Sequence, residues 1–297
     1  MKPEARSAAA PSALRGIVLM VAAVGVFTLM DAIAKYLSRW YPVPGIVWAR
    51  YASNLAVLLI WFAAFGELRR LRTARPGIQL ARGLLLAAAT MLYFTSLSVL
   101  PLADAAAIGF VLPLFVAALA VPMLQERLDL GRTLAIAAGL AGALIIVRPG
   151  SASFTLYALL PMAMALCNAL YQILTRKVAG VEHPLTSLVW GAIVGAVLLS
   201  AVLPFAWETP RQAFHWALLG VIGVLASVGH YLLIRAYDYA PATLLAPFTY
   251  SGLVWAMLLG LAVFGNFPDA WSLAGMAVIV GSGLFIASRQ RLTVHRG

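Results

Sequence analysis

The sequence predicts an all-α polytopic membrane protein: ten transmembrane helices, arranged as two inverted five-helix repeats, with both termini cytoplasmic. Three observations carry that prediction. Of 297 residues, 63% are hydrophobic and only 10% charged, whereas charged residues make up roughly a quarter of a soluble globular chain. The apolar residues fall into ten runs, with basic clusters alternating between them. The second half of the chain also echoes the first at one constant shift.

The ten runs cover roughly 16–38, 44–66, 78–99, 102–124, 131–148, 154–176, 184–206, 214–237, 241–264 and 270–288, each bounded by charges, Pro or Gly. The first follows "MKPEARSAAAPSALRG" and continues from Ile17 to about Leu37. Such a run is long enough to span a bilayer and longer than a signal-peptide core, so it counts as the first helix. Short connections such as "VLPLAD" (99–104) and "YAPA" (239–242) force antiparallel neighbours. With the N-terminus inside, only Lys35, Arg39, Arg50, Arg148 and Arg211 of the 21 Lys and Arg residues fall outside the cytoplasmic loops, tails and helix ends. That bias sets the orientation and requires an even number of spans. The chain divides into a cytoplasmic tail (1–15), a first repeat (16–150), a second repeat (151–288) and a second tail (289–297).

The net charge of +11 is distributed as such orientation signals, not as a nucleic-acid-binding stripe. Cys167 is the single cysteine, which excludes an intramolecular disulfide and a cysteine metal cage. It lies in an apolar run, where it serves as a small buried hydrophobe.

The repeat is visible when "PGIVWARYASNLAVLLIWFAAF" (44–65) is set against "PLTSLVWGAIVGAVLLSAVLPF" (184–205). A shift of 140 pairs Pro44 with Pro184, "AVLL" with "AVLL", and Phe65 with Phe205. Without a gap it also pairs Gly83 with Gly223, Leu92 with Leu232, Pro101 with Pro241 and Asp129 with Asp269. A unit of five spans is odd, so the second copy enters the membrane from the opposite side. Inverted repeats with a site near the midplane characterise secondary transporters.

The stretch "ADAAAIGFVLPLFVAALAVPMLQERLDLGRTLAIAAGLAGALIIVRPG" (103–150) has an Ala-rich helix with a central Pro113, then Glu126, then a Gly-rich helix. Together with "VPGIVWARYASNLAVLLI" (43–60), which carries Arg50, and with 239–287, it resembles the EamA domain of the drug/metabolite transporter superfamily. The second half departs from the pattern at Asn266, where a second Glu is usual, and at Trp190, which replaces the counterpart of Arg50. The resemblance implies a multi-pass protein of the bacterial cytoplasmic membrane that exports small metabolites. Within it, the aromatic richness of the expected cavity favours an amino-acid exporter, similar to bacterial exporters of aromatic amino acids. Sugar nucleotides or phosphate esters are the alternative solutes, and a channel is the alternative class. There is no H-E-x-x-H, no G-x-S-x-G and no midplane carboxylate pair, so no enzyme, metal or cofactor is expected. The expected partners are a small-molecule solute and the lipid bilayer; the expected state is a monomer, with a dimer as the alternative.

Polar groups at membrane depth are costly, so they line a cavity or bond a partner helix. On helix 6, Asn168, Tyr171, Gln172 and Thr175 share a face. Asn168, Tyr171 and Gln172 are candidates for solute binding, or for interhelical bonding. His230 on helix 8 and Thr90 on helix 3 are equivalent under the shift, with Tyr231 and Tyr93 beside them. Helix 9 brings Thr249, Tyr250, Ser251 and Trp255 near a break expected at Pro247, matched by Pro113 on helix 4. Arg50 is placed at the external end of helix 2, to anchor at the interface or gate. On helix 1, Thr28 and Asp31 face the bundle interior, and Lys35, four residues on from Asp31, is expected as its counter-ion. Substituting His230→Ala and Asn168→Ala is predicted to lower transport without reducing folded protein in detergent; wild-type transport in both would remove them from the site.

Overall fold

The computed structural model describes residues 10–124, 130–149, 155–178 and 181–294. Glu126 and Asp129 lie outside the described residues, as do residues 1–9 and 295–297 of the two tails. Twelve α-helices order the described chain: α1 (Ala10–Leu37), α2 (Val43–Ala64), α3 (Pro76–Val99), α4 (Leu102–Gly109), α5 (Leu112–Leu124), α6 (Leu130–Val147), α7 (Leu160–Val178), α8 (Pro184–Ala206), α9 (Ala213–Tyr239), α10 (Ala242–Leu245), α11 (Ser251–Phe264) and α12 (Ala270–Val294). Among the described residues, eight helical segments are long and apolar enough to cross a membrane, and two apolar helices, Thr133–Val147 and Ala270–Ile286, are shorter. Proline marks several starts, at the first turn of α2, α3 and α8, where its fixed φ suits a helix and its missing N–H costs no bond.

Two spans are broken where the sequence placed prolines. α4 gives way at Phe110 and Val111, and α5 resumes just before Pro113, which has no N–H for the Gly109 carbonyl. The second break runs through a 3₁₀ turn, Ala246–Tyr250, that contains Pro247. The two breaks meet, because the Phe110 and Tyr250 rings lie 5.2 Å apart. These residues are 140 apart in sequence.

The packing is symmetric under that shift. α1 lies along α9, and its shifted counterpart, α7, lies along α3. α2 packs on α9 as α8 packs on α3, and α1 on α11 as α7 on α5. The pairs α2–α8 and α6–α12 map onto themselves. Two matched glycines make this possible. A Cβ on Gly83 would lie 2.5 Å from Val194 Cβ, and one on Gly223 would fall on Ser53 and the Asn54 amide. Positions 54 and 194 are themselves 140 apart, so the same close approach is built twice.

The bundle has two chemically distinct ends. One carries the 65–75 connection and residues 181–183, where the Glu182 carboxylate accepts from the Thr73 hydroxyl at 2.5 Å and from the Ala74 and Arg75 amides. Arg69, Arg70, Arg72, Arg75, Arg176 and Lys177 lie there, and we call it the basic end. The other is aromatic. His215 is 3% exposed, bonded to the Tyr41 hydroxyl at 2.6 Å and ringed by Tyr36, Trp40 and Phe214. Trp48, Trp207 and Trp216 continue the cluster. Also on the aromatic side, Arg148 and Asp269 form an ion pair of 2.7 Å, and the Ser272 amide, donating to Asp269, helps hold its carboxyl below the usual aspartate range.

Helices that touch through a glycine leave no room for a larger residue. Gly223→Val and Gly83→Val should each lower stability by about 1–3 kcal/mol through overpacking. Thermal unfolding in detergent checks this; an unchanged midpoint in both would show that the helices do not meet there.

Candidate functional site

The interior between α1, α2, α3 and α9 gathers the deepest charges. Arg50, expected at an interface, is instead 7% exposed and turned into the bundle. Its guanidinium stacks on the Tyr51 ring, 4.8 Å from the centroid, and Nη1 reaches Thr90 Oγ1 at 3.5 Å. The Tyr51 hydroxyl meets the same Thr90 oxygen at 2.9 Å, while Thr90 donates back to the Leu86 carbonyl. Arg50 Nε is buried without a hydrogen-bond partner. A guanidinium has five N–H donors in a planar fork, so one direction of that fork is left open.

Asp31 on α1 lies within the Coulomb field of Arg50, and Tyr93 on α3 within that of Asp31. The same Arg50 charge reaches His230 on α9. His230 Nδ1 lies 2.7 Å from the Ala226 carbonyl, which can only accept, so Nδ1 carries the proton and Nε2 is left as an acceptor on the neutral ring. Phe27 holds the imidazole edge-on, with centroids 5.0 Å apart. Thr28 is 6% exposed and donates to the Val24 carbonyl of its own helix. Four helices thus present a carboxyl, a guanidinium, hydroxyls and an imidazole to one region. The groups present offer hydrogen bonding, charge pairing and stacking.

Lys35 is not the counter-ion of Asp31. Its Nζ donates to the Leu97 carbonyl at 2.7 Å and the Leu100 carbonyl at 2.6 Å. These are carbonyls at the C-terminal end of α3, which lack helical partners and carry the negative end of the helix dipole. Phe264 covers the ammonium at 5.4 Å.

Several other expected site residues are placed elsewhere. Tyr231 is 52% exposed on the outside of α9, beside Trp61. Gln172 is exposed, so the polar face expected on α7 splits. Asn168 stays half-buried, while Tyr171 and Thr175 turn to α3. Trp255 is a staple whose indole N–H donates to the Val21 carbonyl of α1 at 3.2 Å, fitting against Gly25. Thr249 bonds within its own 3₁₀ turn, and Ser251 Oγ is buried without a partner. Trp190, standing where Arg50 has its counterpart, donates to the Leu71 carbonyl at 3.0 Å.

Sequence reasoning missed Arg82. It counted as an orientation signal, yet it is 2% exposed and bonds Thr175, Gln79 and Tyr171. Tyr51, also missed, is 2% exposed at the heart of the Arg50 cluster. A tyrosine next to an arginine in an apolar run was the available signal.

The reassignment of Lys35 has a measurable consequence. Lys35→Met should cost about 1–2 kcal/mol, the upper range for a partly buried cation at a helix C-terminus. In a double-mutant cycle, Asp31→Asn and Lys35→Met should add to within about 0.5 kcal/mol, as independent sites do. A coupling energy well above that would restore the ion pair.

The comparisons with known proteins agree with this architecture. The chain is 31% identical to the S-adenosylmethionine uptake transporter of Rickettsia bellii, covering 90% of this chain and 91% of that protein. It is 29% identical to the riboflavin transporter of Vibrio cholerae, covering 92% and 93%. It is also 29% identical to the pseudopaline exporter CntI of Pseudomonas aeruginosa, covering 89% and 93%. A crystal structure of 20% identity superposes with a TM-score of 0.64 over 91% of this chain and 96% of its own, so the fold is shared. The EamA-like transporter family matches residues 14–148 and 155–288. With its apolar helices and bacterial transporter relatives, this is a multi-pass inner-membrane protein, and it belongs to the EamA-like transporter family.

Proposed function

We propose that the chain is a secondary transporter that exports small solutes bearing an α-amino acid group, by alternating access between two inverted five-helix repeats. The basic end is cytoplasmic and the aromatic end external. The observation that carries this reading is the arrangement of Asp31 and Arg50. A carboxyl and a guanidinium converge on one interior from α1 and α2, yet among the described residues no ion pair joins them. The open Arg50 Nε–H suits a carboxylate, since charge-assisted bonds are roughly twice as strong as neutral ones. Asp31 accepts from an ammonium. Thr90, Tyr93 and His230 Nε2 complete the polar lining, and Phe27 offers a ring for an apolar side chain.

The relatives support a small-molecule solute without choosing among them. Their names include both uptake and export. S-adenosylmethionine, the solute of one relative's name, itself ends in an α-amino acid, which favours a second reading in which such a nucleoside-bearing amino acid is the cargo. Phosphate esters are disfavoured: Arg50 meets Thr90, and Arg82 lies eight residues from Thr90 on α3, about 12 Å along the axis. The two guanidinium groups therefore do not converge on one phosphate.

Counterflow in proteoliposomes with phenylalanine, methionine, S-adenosylmethionine and riboflavin tests the proposal. Flux of an amino-acid-bearing solute should saturate, and Asp31→Asn and Arg50→Gln should each lower it by about tenfold or more, the scale of one lost charge-assisted bond. Unsaturable flux would point to a channel, and wild-type flux in both variants would place the solute elsewhere.

A further inference from the structure

Arg82 is a second buried guanidinium, with an unusual set of partners. Nε donates to Thr175 Oγ1 at 2.8 Å, Nη1 to Gln79 Oε1 at 2.5 Å and Nη2 to the Tyr171 hydroxyl at 3.2 Å. Its flat face lies over the Tyr171 ring, 4.8 Å from the centroid. Gln79 in turn donates from Nε2 to Ser187 Oγ of α8 at 3.1 Å. Every one of these acceptors is neutral. Among the described residues no carboxylate forms an ion pair with Arg82.

That is an expensive way to hold a cation. Removing a charge from water costs several kcal/mol even after relaxation, and burial is normally answered by an opposite charge. A chain selected only to join α3 to α7 has cheaper means in neutral pairs. The neutral set has a different property, because a carboxylate or phosphate oxygen outcompetes a hydroxyl for a guanidinium fork. Position fits as well. Arg82 is six residues into α3 from Pro76, about 9 Å from the basic end. It stands on the same helix as Thr90, between that end and the Arg50 cluster. Tyr171 and Thr175 hold the positions that correspond, 140 residues on, to Asp31 and Lys35. The α3–α7 seam is thus the shifted counterpart of the α1–α9 seam that carries the site.

We infer that Arg82 is a second anion-binding station, nearer the basic end than Arg50, whose bonds to Tyr171 and Thr175 exchange for the oxygens of an incoming carboxylate or phosphate as α3 and α7 part. The identification of that anion as the solute's own carboxylate rests on the amino-acid reading above; the station itself does not.

Thiol labelling separates the two claims. In a full-length Cys167→Ser background, Thr175→Cys places a single thiol beside Arg82, with Ser187→Cys as the second probe position should the first fold poorly. Purified protein is labelled with anionic 2-sulfonatoethyl and cationic 2-aminoethyl methanethiosulfonate. With Arg82 present the anionic reagent should react faster by about tenfold, as a local cation attracts it. Arg82→Gln should abolish the bias and Arg82→Lys retain it. Slowing of the anionic reaction by methionine, but not by inorganic phosphate, identifies the anion as the solute carboxylate. Bias with protection by phosphate alone keeps the station and removes the amino-acid reading. Equal rates for the two reagents, a bias that survives Arg82→Gln, or no labelling at either position overturns the station.

Discussion

Hydrocarbon offers a buried cation nothing to bond, and the polar organisation of this protein follows from how its deep charges are answered. Lys35 is answered by backbone, at the carbonyls that α3 leaves open at its end. Arg82 is answered by hydroxyl and amide oxygens across the α3–α7 seam. Arg50 is answered only in part, by Thr90 and the face of Tyr51, with Asp31 within its field but not bonded to it. The gradation runs from a cation whose bonds are complete to one with a donor left open. In water such distinctions would be blurred by hydration; in a bilayer each unmet donor is a specific chemical fact.

Much of the scaffold was legible in the sequence because its signals are long or unique. Runs of apolar residues define spans without reference to tertiary contacts, and Pro113 and Pro247 mark breaks because a missing N–H has the same consequence in any bundle. The Gly83 and Gly223 match at a shift of 140, read from the sequence as part of the repeat, falls where a close approach is built twice. Partner choice was less legible. The spacing of Asp31 and Lys35 satisfies an ion-pair rule, but the rule knows nothing of an α3 terminus brought near by folding. Arg82 sits among residues that report orientation, and its burial depends on α7 and α8. The faces of Gln172, Tyr231 and Trp255 were missed for another reason. In a helix that is apolar all round, no contrast between sides tells a cavity from lipid.

The symmetry is one of backbone more than of chemistry. Helix pairs interchange under the shift, yet Asp31 and Lys35 correspond to Tyr171 and Thr175, Arg50 to Trp190, and Arg82 to Ile222. One half of each symmetric seam is charged where the other is aromatic, aliphatic or hydroxylic. Trp190, with its N–H on the Leu71 carbonyl, shows the difference: at the position where the first half points a guanidinium into the interior, the second half ties down a loop. Duplicated geometry has left room for divided chemistry, with buried charge concentrated on α1, α2 and α3.

The contact between Phe110 and Tyr250 carries a mechanical consequence. Each ring stands at the point where its own span loses continuous helical bonding, so each half-helix has a soft place there. Because the two soft places touch, each break is packed directly against the other. A substitution at 110 or 250 therefore alters the packing at both breaks at once.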